Sequence, residues 1–61
     1  MDKEMRHELC QHKVTLDGVP AVIGGVSNRF AKVTQLPHGL SAEWSWEAVA
    51  RIVANGGNFR S

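Results

Sequence analysis

The sequence predicts a mainly β chain with one short helix near its end, either a small SH3-like partly open barrel or a bent four- to five-stranded antiparallel meander packed on a helix at about 46–54. Three observations carry that expectation. Asp17-Gly18 separates two β-prone runs, as a two-residue hairpin turn does. The apolar period changes from two to between three and four at Ser45. Paired glycines, Gly24-Gly25, sit inside a strand-like run and mark a bulge or sharp bend of the kind that lets a small sheet curl.

The first eleven residues, Met1 to Gln11, are charged and polar, with Met5 and Leu9 four apart and Asp2 placed to cap a short helix. A helix of this length is marginal alone, so residues 1–11 are expected to be a flexible arm or a short docked helix. Residues 12–61 form one small β-rich domain. Within it Val14 and Leu16 share a face, and the Asp17-Gly18 turn leads into a return strand, Val19 to Val26. Pro20 lacks an N–H and belongs at the strand's start or at an edge. Val22, Ile23 and Val26 are the expected core contributors of this segment.

After the polar turn Ser27-Asn28-Arg29, the run Phe30 to Leu36 places Ala31 and Val33 on one face and Phe30, Lys32, Thr34 and Leu36 on the other. Pro37-His38-Gly39 is the next turn, because proline presets φ and glycine supplies the unusual backbone position. Leu40, Ala42 and Trp44 then alternate with Ser41 and Glu43, the pattern of a half-buried strand. Ser45 is the expected N-cap of a helix from Trp46 to Ala54, with Glu47 favouring the positive end of the dipole. Val49, Ile52 and Val53 continue the apolar stripe that Trp46 begins. Glu47 and Arg51, four apart on the solvated face, add roughly 0.2–0.5 kcal/mol. Asn55-Gly56-Gly57 ends the helix, and the tail offers Phe59 as a plug or part of a closing strand.

A 61-residue chain buries only about 60% of the surface its unfolded form exposes, so its stability margin is small. One cysteine, Cys10, allows no internal disulfide and fits a reducing compartment, so the protein is read as cytoplasmic. The longest nearly apolar run, Val19 to Val26, is far below the roughly 20 residues that span a bilayer. No signal peptide and no membrane partner are expected. With seven basic and six acidic residues, the chain lacks the strong basic excess usual in nucleic-acid binders.

No residue pattern specifies a reaction, so no catalytic residue is assigned and the protein is read as not an enzyme. Cys10 with His7 or His12 is the one local nucleophile and base pair, but it lies in the least structured segment. His7, Cys10, His12 and His38 do not make the two close ligand pairs of a structural zinc site, so neither metal nor cofactor is expected. Glu43 and Glu47 have structural roles on a strand face and in a capping turn. Gly24-Gly25 lacks the ending of a phosphate loop.

Of the two tryptophans, Trp44 is expected in the core and Trp46 nearer the rim. The candidate binding surface is an aromatic and cationic rim of Arg29, Phe30, Lys32, Trp46, Arg51 and Arg60. The function expected from these features is a small intracellular interaction module, a regulator or inhibitor that binds a larger protein and can self-associate. The alternative is a nucleic-acid binder using a basic and aromatic sheet face.

Overall fold

A computed structural model describes all of residues 1–61. In chain order the elements are α1 (Lys3–Cys10), β1 (Val14–Leu16), β2 (Val19–Gly25), β3 (Phe30–Gln35), β4 (Ser41–Ser45), α2 (Trp46–Ala54) and β5 (Asn58–Phe59). The five strands make one sheet in the order β4-β3-β2-β1-β5. The first four pair antiparallel in succession, as a meander does. The fifth departs from that scheme, for it lies parallel to β1, with Thr15 opposite Asn58 and Leu16 opposite Phe59. The intervening helix supplies the crossover that a parallel pairing requires.

The mixed sheet is a curled half-barrel, consistent with a small SH3-like barrel. Its curl is visible in one contact between strands at opposite ends of the order. Trp44 of β4 meets Phe59 of β5 edge to face, with ring centroids 5.0 Å apart.

Local chemistry explains each connection. Asp17 and Gly18 have φ of 54° and 84°, the two left-handed positions of a tight hairpin turn, and Leu16 pairs with Val19 across it. Ser27 Oγ accepts from the main-chain N–H of both Arg29 and Phe30 at 3.2 Å, holding the β2–β3 turn. The Leu36–Pro37 peptide is cis in the β3–β4 connection. Asp2 Oδ1 accepts from Met5 N at 2.9 Å to start α1, and Ser45 Oγ accepts from Ala48 N at 3.2 Å to start α2.

The core is Val14, Leu16, Ala21, Ile23, Ala31, Val33, Trp46, Val49 and Phe59, with Leu9, Cys10, Trp44, Ile52 and Val53 packed against it. Several expectations are corrected here. Val22 and Val26 do not enter the core; Val22 is 46% exposed, because the hairpin register sends Ala21 and Ile23 inward and period-two geometry turns Val22 out. Leu40 precedes β4 and is 68% exposed, outside the strand it was expected to begin. The ladder passes through Gly24 and Gly25 opposite Lys32 and Ala31 with no inserted residue, so no bulge forms. Gly25 lies beside the Trp46 ring.

The tryptophans also exchange places. Trp46 is 3% exposed and deep in the core, whereas Trp44 is half-buried on the outermost strand, where only one neighbouring strand covers it. Among the helices, α1 has no buried residue, while Leu9 and Cys10 at its end rest on the core. Neither helix is long and apolar enough to cross a membrane.

Candidate functional site

The residues expected at a binding rim are distributed over four regions. Arg29, Phe30 and Trp46 come together at one shallow cleft of about 380 Å³, with Met1 and Glu47 on its wall. Two hydrogen bonds build this junction: Trp46 N donates to Arg29 O at 3.0 Å, and Trp46 Nε1 donates to Ser27 O at 2.9 Å. The indole is thus a buried strut beneath the β2–β3 turn, and Phe30 is the exposed aromatic of the site, at 46%.

Lys32 lies farther along β3 on the sheet face opposite the core, directly across from Glu43 of β4. Arg51 belongs to the last turn of α2. Arg60 borders a separate polar recess of about 400 Å³ with Thr15, Asp17 and Asn58, beside β5. The cations therefore do not converge on one surface.

The outer sheet face carries a pattern that the rim left out. Ladder registers place Val22 beside Thr34 and Ser41, Gly24 beside Lys32 and Glu43, and Phe30 beside Ser45. Val26 N donates to Phe30 O at 3.2 Å, which brings Val26 next to Phe30. Leu36 N donates to Pro20 O at 2.8 Å, which brings Leu36 to the other end of the face. The result is a face with apolar ends, Val26 with Phe30 and Val22 with Leu36, separated by the Lys32 and Glu43 pair. All four apolar residues are exposed. The signal in the sequence was the alternation of Val22 and Phe30 with Ile23 and Ala31, but an apolar run such as Ala21-Val22-Ile23 does not declare which residues face inward.

Two polar interactions that sequence reasoning missed shape the rest of the surface. Gln35 is buried on the core face of β3, its Nε2 donating to Leu16 O at 2.9 Å and its Oε1 accepting from Leu40 N at 3.0 Å. Asp17 accepts from Ser61 N at 3.0 Å and from Ser61 Oγ at 2.6 Å. The Ser61 hydroxyl, then its backbone N–H, hold the Asp17 carboxyl below the usual aspartate range, with the Arg60 charge assisting. Long-range polar pairing of this kind depends on residues 44 apart in the chain and has no local signature.

At the other end of the chain, His7 Nε2 lies 3.1 Å from Gln11 Nε2 within the same helical segment. The structure gathers no group of three or more His, Cys, Asp or Glu side chains. Partial burial pushes the Cys10 thiol up from its ordinary value, which disfavours the thiolate. Comparison of the chain with protein-family models, with curated proteins and with solved structures returns no match.

Proposed function

We propose that the protein is a small non-enzymatic interaction module that regulates or inhibits a larger protein by docking its outer sheet face, and that it acts in the cytoplasm. The observation that carries this reading is the group of exposed apolar side chains, Val22, Val26, Phe30 and Leu36, on the face opposite the core. Burying such side chains gains about 25 cal/mol per Å² of apolar area removed from water, and exposed apolar side chains grouped on one face mark contact surfaces. Lys32 and Glu43 between them give the face a polar element that fixes orientation. The lone thiol of Cys10 supports the reducing compartment.

Nucleic-acid binding is the second reading, favoured by Phe30 next to Arg29 at the cleft. It is the weaker of the two because Glu43 faces Lys32, while Arg51 and Arg60 lie on other elements.

The test is a paired affinity capture using the protein and a Val22→Glu/Phe30→Glu variant whose circular dichroism matches it. A partner retained by the first and lost from the second supports the face. Equal retention by both removes it from consideration. A nucleic-acid titration at several salt concentrations addresses the second reading, since phosphate-driven affinity falls steeply with the logarithm of salt.

A further inference from the structure

The outermost strand β4 has a free edge whose chemistry is self-complementary. β3 covers one side of it, and no strand lies on the other. Gln35 N donates to Leu40 O at 2.8 Å, and Trp46 N donates to Arg29 O at 3.0 Å. With the ladder register, these bonds assign Leu40, Ala42 and Trp44 to pairing with β3 and turn the main-chain N–H and C=O of Ser41 and Glu43 outward. Both residues are exposed.

We propose that this edge pairs antiparallel with the same edge of a second copy, about a two-fold axis at Ala42, so that two curled sheets join into one. This interaction uses the strand edge and stands apart from docking by the outer face.

The two-fold position follows from which register satisfies the exposed groups without repulsion. An axis at Glu43 sets Glu43 against its own copy, and directly opposed like charges destabilise a ladder. An axis at Ser41 pairs Glu43 with Gly39 and leaves fewer strand residues engaged. With the axis at Ala42, Ser41 faces Glu43 of the second copy on both sides, and each such pair exchanges both of its main-chain bonds. Glu43 then lies between Lys32 of its own sheet and the Ser41 hydroxyl of the other, so no like charges are opposed.

The same register places Leu40 opposite Trp44 of the second copy. Leu40 is the most exposed large apolar residue of the chain, and Trp44 is half-buried at the open edge of the core. Aliphatic and aromatic residues in a non-hydrogen-bonded pair pack closely, so the association covers both. An isologous contact of this type closes after two copies and does not propagate as a fibre through the same edge.

Sedimentation equilibrium over the micromolar to millimolar range tests the proposal with the protein, Ser41→Glu and Ser41→Lys, each checked for an unchanged circular dichroism spectrum. A concentration-dependent dimer is expected for the unaltered protein. Ser41→Glu places carboxylates opposite each other twice and weakens the dimer about tenfold, whereas Ser41→Lys faces Glu43 of the second copy and strengthens it by a similar factor. Net charge alone gives the reverse order, since the chain carries a formal +1 and the lysine variant raises it. A protein that stays monomeric throughout overturns the proposal, as do two variants that shift the dimer in the same direction. In a Cys10→Ala background, Ala42→Cys is expected to oxidise to a covalent dimer, because residues on the axis approach within disulfide reach. Failure of that cross-link under conditions where the dimer is populated also overturns it.

Discussion

The indole Nε1 of Trp46 donates to the Ser27 carbonyl oxygen at 2.9 Å, across 19 residues of chain, from the first position of a helix to the turn of a hairpin. The Trp46 main-chain N–H, donating to Arg29 O, makes the second bond to the same turn. One residue therefore joins the strand-to-helix switch, the core and the cleft. Trp46→Phe is expected to cost about 1–3 kcal/mol, since it leaves a part-buried carbonyl without its donor. Trp46→Ala is expected to cost about 3–5 kcal/mol through the added cavity, enough to unfold so small a domain. Urea denaturation followed by circular dichroism measures both, and a Phe variant as stable as the parent shows that the Ser27 carbonyl finds another donor.

Gln35 and Gly39 form a coupled pair. A Cβ at Gly39 falls 2.5 Å from both Cβ and Oε1 of Gln35, so Gly39→Ala displaces the amide that bridges Leu16 and Leu40. Gln35→Leu is expected to cost about 1–3 kcal/mol by leaving those two main-chain groups unpaired. In the double variant the two losses add to less than their sum, because the second change removes an interaction already broken. Full additivity in thermal melts counts against the coupling.

The Asp17 carboxyl gives a directional pH dependence. Its folded value lies below the unfolded one because Ser61 donates to it from hydroxyl and backbone. The linked contribution is thus present in full above the unfolded aspartate range, about 3.9, and is lost as pH falls through the lower, folded value. The carboxyl is fully solvated, so the effect is small and local. In an NMR titration the Ser61 amide is expected to follow Asp17 with a midpoint below the ordinary aspartate value. Asp17→Asn is expected to abolish that titration and leave the hairpin intact, as asparagine also tolerates positive φ.

Ser45→Ala is expected to cost about 1 kcal/mol, through loss of the hydroxyl that accepts from Ala48 N. Ser45→Asp restores the acceptor. Thermal melting of the pair separates cap loss from any change at the neighbouring Trp46, since only the alanine variant loses its acceptor.

The sequence made legible those elements whose cause is local. Asp17-Gly18 announced its hairpin, Ser45 its cap and Trp46–Ala54 its helix, because turn φ values, capping and apolar period are settled within a few residues. What escaped was set by distant neighbours. The choice of Ala21 and Ile23 over Val22 as core depends on which face β1 and β3 leave dry, and all three residues are apolar. Likewise, Trp44 and Trp46 are equally suited to burial as residues. Their ranking depends on β4 being outermost and on the two hydrogen bonds that tie Trp46 to the β2–β3 turn. The candidate rim failed to converge for the same reason: Arg51 and Arg60 are placed by the crossover to β5, and β5 pairs parallel with a strand 43 residues earlier.

That last pairing makes the core depend on a segment remote from β1 in the chain. Phe59 is 1% exposed and among the largest fully enclosed side chains, yet it enters only when the tail has threaded back alongside Thr15 and Leu16. Closing so long a loop costs chain entropy that the pairing with Thr15 and Leu16 and the burial of Phe59 must offset. Replacing Phe59 with alanine is therefore expected to hollow the hydrophobic interior through a strand of only two residues.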